Sequence, residues 1–290
     1  MQIWEAVTLG VVQGLTEFLP VSSTAHLVIV RKAMGHPSPD DAFTTVIQLG
    51  TLVAVFWYFR RDILNMLGGL IRDIRLMKLG SSPESRLGWL IVLGTLPVGV
   101  IGLLFKKKIK EIFYDVPTMG VVAILFALLM LAAELWHKIR TVDLQRPGVE
   151  ESQITWKESL WIGCWQMLAL MPGASRSGTT LTGSFFAGLT RPAAARFSFL
   201  LSLPSILAAG VKELYDEYKI YKNPKPDEAP SLFASGDEIL TLTIATVVSG
   251  VVGYFAVAWL VGYLKKYNMG VFVAYRLLLG AGILIWWFGR

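Results

Sequence analysis

Six stretches of this chain stay apolar for about as long as a helix needs to cross a lipid bilayer, roughly 20 residues. They are Phe43–Phe59, Leu87–Phe105, Met119–His137, Pro192–Val211, Ile239–Leu264 and Met269–Phe288. Lipid offers backbone N–H and C=O groups no water, so each stretch must satisfy its own hydrogen bonds as a helix. The expectation is an all-α polytopic membrane protein, with residues 1–290 forming a single transmembrane domain. Composition agrees: 54% of residues are hydrophobic and 17% charged, where soluble proteins carry about 25% charged residues. That excludes a disordered chain and argues against a soluble enzyme. The lone Cys164 excludes an internal disulfide framework and a cysteine-rich metal site. A net charge of +6 without basic runs interleaved with aromatics points to anionic lipid, not nucleic acid, as the acidic partner. Met1–Glu5 lacks the basic start of a signal peptide, so the first apolar segment is expected to stay in the protein.

Two further segments are apolar but interrupted. Trp4–Val30 is broken at Pro20, Ser22, Ser23 and Thr24, and Ser159–Leu189 at Pro172, Gly173, Ser175, Arg176, Ser177 and Gly178. A proline alone would give a kinked spanning helix. Several polar groups at one break favour a re-entrant helical hairpin whose tip is buried in protein.

The two broken segments belong to an internal repeat. Glu5, Gly10, Gln13 and Leu15 match Glu158, Gly163, Gln166 and Leu168 at an offset of 153. Pro20 and Ser23 match Pro172 and Ser175 at 152, and Gly99, Val100 and Gly102 match Gly250, Val251 and Gly253 at 151. Met119-Gly120-Val121 matches Met269-Gly270-Val271 at 150. Each half, about 1–140 and 155–290, then holds one hairpin and three spans. Three is odd, so the halves insert in opposite directions, an inverted-topology repeat whose site forms where the broken helices meet. Loop lysines and arginines number 14 on the face of the 60–87 loop and 11 on the other. That bias places both termini outside the cytoplasm.

The chemistry-bearing residues sit at the breaks. Gln13 and Glu17 are four apart on one helix face, and Ser23 and His26 three apart on the next arm. An acid inside an apolar segment is costly unless it is paired or functional. A carboxylate, a hydroxyl and an imidazole at one break supply a nucleophile, a base and an orienting group. Singly, Ser22, Ser23 and Thr24 read as helix caps and His26 as a packed imidazole; their clustering with Glu17 favours function. The second break, Pro172-Gly-Ala-Ser175-Arg176-Ser177-Gly-Thr-Thr180, places small residues, hydroxyls and one arginine at a helix start. Backbone N–H groups there favour an anion, and the guanidinium fork suits phosphate oxygens. The repeat sets Ser23 opposite Ser175, so the two tips together join acid/base groups to an anion cradle. A phosphate-bearing lipid is the natural occupant.

These motifs resemble those of the undecaprenyl-diphosphate phosphatase (bacitracin-resistance) family of bacterial inner membranes. Gln13 and Glu17 match the family's (Glu/Gln)-x-x-x-Glu motif, and Pro172 through Thr180 its Pro-Gly-x-Ser-Arg-Ser-x-x-Thr motif. Val46-Ile-Gln48-Leu-Gly-Thr51, Ala132-Ala-Glu134, Phe197-Ser198-Phe-Leu-Leu201 and Tyr275-Arg276 extend the likeness over nearly the whole chain. The resemblance implies removal of the terminal phosphate from undecaprenyl diphosphate, at the outer face of the cytoplasmic membrane, with a divalent cation (Mg2+ or Ca2+). It implies recycling of the lipid carrier for cell-wall synthesis and bacitracin resistance. Carried over, Glu17, Ser23, His26 and Arg176 are catalytic. Gln13, Ser22, Ser175, Ser177 and Thr180 bind substrate, and Glu17 is the metal ligand. Two departures stand out: Gln13 replaces an acid found in some members, and Ala25 stands where a glycine before the histidine is usual.

Either Ser23, with His26 as base and Glu17 as orienting group, or His26 itself is the nucleophile on this reading. The rival class is a phosphate-lipid transporter or flippase, which shares the architecture and needs the arginine but no activated nucleophile. A non-catalytic lipid-phosphate binder would hold the lipid without turnover. Gln48, Glu134, Ser198 and Arg276 are polar residues within spans, read as structural pairs or hydrogen bonds ahead of substrate contacts. The Lys222–Pro230 loop, rich in proline and mixed charge, is expected to be solvent-exposed. A homo-oligomer is compatible with all of this.

Overall fold

A computed structural model describes residues 1–36, 42–224 and 231–289. Of the Lys222–Pro230 loop, 225–230 lie outside the described residues. Among the described residues the regular structure is helical, with one isolated β-bridge between Val149 and Leu189. The first half contains α1 (Ile3–Thr16), α2 (Ser23–Ala33), α3 (Ala42–Tyr58), α4 (Arg60–Leu76), α5 (Pro83–Phe113) and α6 (Val116–Lys138). The second half contains α7 (Trp156–Leu168), α8 (Arg176–Phe186), α9 (Arg191–Lys222), α10 (Gly236–Leu264) and α11 (Gly270–Phe288).

Five helices are long and apolar enough to span, over Pro83–Phe105, Val116–Asp143, Arg191–Lys222, Gly236–Leu264 and Gly270–Phe288. α3, the remaining expected span, has 17 residues and ends at a bend of 84° into α4. The arms α1, α2, α7 and α8 have 14, 11, 13 and 11 residues. At 1.5 Å per residue none exceeds about 21 Å, short of a bilayer core of about 30 Å. They form the two expected hairpins. The Glu5/Glu158 match has a local cause: each carboxylate accepts from the backbone N–H three residues earlier, Gln2 at 2.7 Å and Thr155 at 2.8 Å. These contacts fix the start of each hairpin.

The halves interlock. α1 packs on α10 of the other half and α7 on α5; α3 packs on α9 and α6 on α11. Exchanging each helix for its repeat mate maps these pairs onto one another, as a pseudo-two-fold requires. Small residues permit the approach: a Cβ on Gly163 would lie 2.2 Å from the Gly94 carbonyl, and one on Gly14 2.7 Å from Val252. Phe18, Phe185, Phe197 and Phe199 are buried between the halves, while Leu103, Phe255 and Leu278 stay exposed on the outer faces of α5, α10 and α11. Exposed aromatics form two belts. Trp4, Tyr215 and Trp286 lie on the face from which α1 enters, and Trp57, Trp156 and Trp259 on the other. Such belts mark membrane–water boundaries.

The segment Arg60–Leu87 is not the plain loop its arginines suggested. It contains α4, whose repeat counterpart is the continuous far end of α9.

Candidate active site

Pro20 prevents α1 from continuing, and the chain turns back through Ser22, held at φ 73°. The second hairpin turns back through Ser175, at φ 68°. Left-handed backbone at a non-glycine costs about 1–2 kcal/mol. Both serines recover part of this as N-caps: Ser22 Oγ accepts from Ala25 N–H at 3.5 Å and Ser175 Oγ from Gly178 N–H at 3.2 Å. Ser22 and Ser175 are therefore the equivalent residues, at the offset of 153 that also relates Gln13 to Gln166. This corrects the pairing of Ser23 with Ser175: the prolines align at 152 but occupy different steps of the two turns. Ser23 lies across from Arg176, each the first residue of its returning helix.

The tips meet. Glu17, Ser22, Ser23 and Thr24 from the first and Gly173, Ser175 and Arg176 from the second line a cavity of about 40 Å3, which Gln48 of α3 closes. Glu17 Oε2 accepts from Gln13 Nε2 at 2.9 Å and from Ser23 Oγ at 2.7 Å. Arg176 Nη1 lies 3.5 Å from Glu17 Oε1 and has no hydrogen-bond acceptor among the described residues. Ser177 Oγ stands 3.2 Å from Ser175 Oγ and donates across the interface to the Leu19 carbonyl at 3.1 Å. The N-termini of α2 and α8 both open on this cavity, adding two partial positive charges to the guanidinium.

Not every expected residue is brought in. His26 Nδ1 lies 2.7 Å from the Ser22 carbonyl, which can only accept, so Nδ1 carries the proton. Nε2 then accepts from the Tyr275 hydroxyl at 2.6 Å, with the two rings parallel and their centroids 5.6 Å apart. The structure does not hydrogen-bond His26 to Ser23 or Glu17. Thr180 Oγ1 donates to the Arg176 and Ser177 carbonyls and faces its own helix. Tyr275 was not singled out as a site residue; the only sequence signal was its place beside Arg276.

Arg276 is fully buried. It donates to the carbonyls of Gly173 at 2.8 Å, Ala174 at 2.9 Å, Pro20 at 3.4 Å and Ala123 at 3.4 Å. One side chain thus ties both tips to α6. Glu134 pairs with Arg191 and accepts from Met269 N–H at 3.2 Å. For Arg276 and Glu134 the structural reading is the one observed, whereas Gln48 belongs to the cavity.

Among the described residues no three His, Cys, Asp or Glu side chains group as a metal cage. The donors present suit a cation that arrives on a diphosphate: Glu17 is a carboxylate at the cavity, and the buried Gln13 Oε1 beside it has no partner among the described residues. Magnesium is commonly held this way, by one or two carboxylates and the substrate's own phosphates.

The chain is similar to proteins named undecaprenyl-diphosphatase. It is 47% identical over 284 residues to that of Chloroherpeton thalassium, covering 98% of this chain and 96% of the relative. It is 46% identical over 285 residues to that of Chlorobium phaeovibrioides, with the same coverage. With that of Chlorobaculum tepidum it shares 42% over 285 residues, covering 98% of this chain and 97% of the relative. Residues 6–282 match the bacitracin resistance protein BacA, and the chain belongs to that family.

Proposed function

We propose that the protein hydrolyses undecaprenyl diphosphate to undecaprenyl phosphate and inorganic phosphate, recycling the carrier lipid of cell-wall synthesis and so conferring bacitracin resistance. The observation that carries this reading is the contact between the tips: Glu17 accepts from the Ser23 hydroxyl on one oxygen and stands 3.5 Å from Arg176 Nη1, which has no hydrogen-bond acceptor among the described residues, on the other. In the first step Ser23 Oγ attacks the terminal phosphorus and its proton passes to Glu17 Oε2. The bond from that phosphorus to the bridging oxygen breaks, and undecaprenyl phosphate leaves. The serine proton passes from Glu17 to the departing phosphate oxygen, which leaves Glu17 ionised; water then attacks the phosphoserine with Glu17 as general base, and the proton Glu17 takes up is returned to Ser23 Oγ as inorganic phosphate forms. Arg176 and the two helix N-termini stabilise the equatorial oxygens, where the transition-state charge lies. A divalent cation held by Glu17 and the Gln13 amide oxygen would neutralise diphosphate charge. His26, fixed by Ser22 and Tyr275, positions the turn that presents Ser23.

The weak charge bias supports a bacterial cytoplasmic membrane with the site open to the outer side. A carrier needs the arginine but has no use for a serine hydrogen-bonded to a buried acid, and that contact favours hydrolysis over flipping. The test is phosphate release from undecaprenyl diphosphate by purified protein in detergent, with and without EDTA, for wild type, Arg176→Ala, Ser23→Ala and His26→Ala. The reading expects EDTA-sensitive release, abolished by the first two substitutions, and a phosphoenzyme trapped on Ser23. Well-folded wild type that binds the lipid without releasing phosphate would move the assignment to a carrier. A phosphoenzyme mapped to His26 would exchange the two roles.

A further inference from the structure

α4 has three faces. It buries Ile63, Met66, Gly69 and Asp73 against the protein. A second face exposes Leu64, Leu67, Ile71 and Ile74, each at 47% or more. Beside it, at about 100° per residue, a third face carries Arg61, Arg72 and Arg75, all exposed. Among the described residues none of these arginines makes a hydrogen bond or salt bridge, and Arg72 alone interacts at longer range with an acid, Glu84. The helix turns 84° from α3. With α3 as the sixth crossing, an 84° turn lays α4 close to the membrane plane. At the elbow Arg60 lies over the exposed Trp57 ring, 5.1 Å from its centroid, an aromatic anchor at headgroup depth.

An apolar stripe beside a basic stripe on a helix in the membrane plane matches one occupant, a layer of acidic phospholipid. Acyl chains cover the leucines and isoleucines, and headgroup phosphates take guanidinium forks. Free phosphate would account for the arginines but leave the apolar stripe in water. We propose that α4 is an acidic-phospholipid contact on the membrane face opposite the one from which α1 enters, with Arg61, Arg72 and Arg75 as its phosphate ligands. The contact pins the α3–α4 elbow and, through α3, the position of Gln48 at the cavity.

The test uses the full chain in phosphatidylcholine vesicles containing trace spin-labelled phosphatidylglycerol or spin-labelled phosphatidylcholine. The readout is the fraction of each label immobilised at the protein. About 1 kcal/mol per cation at an anionic surface corresponds to about fivefold in association. Wild type is expected to prefer phosphatidylglycerol by about fivefold or more, with the preference falling as salt screens it. Arg61→Gln/Arg72→Gln/Arg75→Gln should bring it near unity. Lys138→Gln/Arg146→Gln/Lys265→Gln, on the same face but off α4, should retain it, and inorganic phosphate at matched ionic strength should not compete. If the triple variant misfolds, Arg72→Gln alone must still lower the preference. No preference in wild type, retention in the α4 variant, equal loss in the control or displacement by free phosphate would each overturn the proposal.

Discussion

The two hairpins are copies of one unit, yet they are held differently. In α8 every residue from Ser177 to Phe185 is buried, and the helix packs on α6, α7 and α9. In α2 only Ala25, Leu27, Val28 and Arg31 are buried, and among the described residues α1 is its only extensive helix partner. Its other contacts are few: Leu27 joins the apolar cluster of Phe43, Ile47 and Leu242, Arg31 lies 6.0 Å from the Phe43 ring centroid, and on α11 His26 meets Tyr275 and the Lys32 ammonium stands 4.9 Å from the ring centroids of Trp286 and Trp287. Duplication thus produced a fixed cradle carrying the arginine and a lightly held arm carrying the serine. The cavity between them, about 40 Å3, holds only a few waters. On the proposed reading a diphosphate enters as one tip yields, and α2 is the arm with least to lose by moving.

The strongest test removes one charge from each copy. Arg176→Ala should lower kcat by about 10²–10³, the scale of losing one preorganised oxyanion donor, with the unfolding temperature in detergent little changed. Glu17→Gln should cost at least as much. Because both side chains serve one cavity, the double variant should fall well short of the product of the two losses. Full multiplication of the effects would mean that the tips work independently.

Next in size is the common support. Arg276→Met leaves carbonyls on both tips without a donor, at about 1–3 kcal/mol for each group left unsatisfied. Melting in detergent should fall by the equivalent of about 3 kcal/mol or more, together with activity. A variant that melts and turns over like wild type would show that the tips hold themselves. Hydrogen exchange then separates the copies directly. Amides of α2 should exchange at least about tenfold faster than those of α8, as expected of an arm near the low-stability end of the structure. Equal protection would remove the distinction between cradle and arm.

Much of this was legible in the sequence, because lipid leaves helices as the only spanning form and a proline among serines marks a break. Glu17 and Arg176 stand out by their cost inside apolar segments and Ser23 by its clustering with Glu17, and the structure brings all three to one cavity. α4 was not legible, because Arg60, Arg61, Arg72 and Arg75 lower its mean hydropathy below that of a span while its apolar residues still recur at helical spacing. Aligning the prolines sets the tips one residue out of register, because the left-handed serines that define the turns carry no sequence mark. Arg276 was visible as an intramembrane cation, but its carbonyl partners lie from 102 to 256 residues away. The role of Tyr275 depends on a hydrogen bond 249 residues long in sequence, beyond any local pattern.

That hydrogen bond gives the smallest and most selective test. Tyr275→Phe keeps the ring stacked on His26 and removes only the hydroxyl that Nε2 accepts from. A net hydrogen bond is worth about 0.5–1.5 kcal/mol, so kcat should fall by roughly two- to tenfold, at 1.4 kcal/mol per tenfold. If the bond steadies α2, exchange should rise across residues 23–33 while 176–186 stay unchanged. His26→Gln, whose amide can still reach the Ser22 carbonyl, should keep more activity than His26→Ala, as suits a residue that holds the turn. A fall in kcat with no change in α2 exchange would instead put His26 in proton transfer, and the arm's freedom would then have to come from the exposed face of α2 alone.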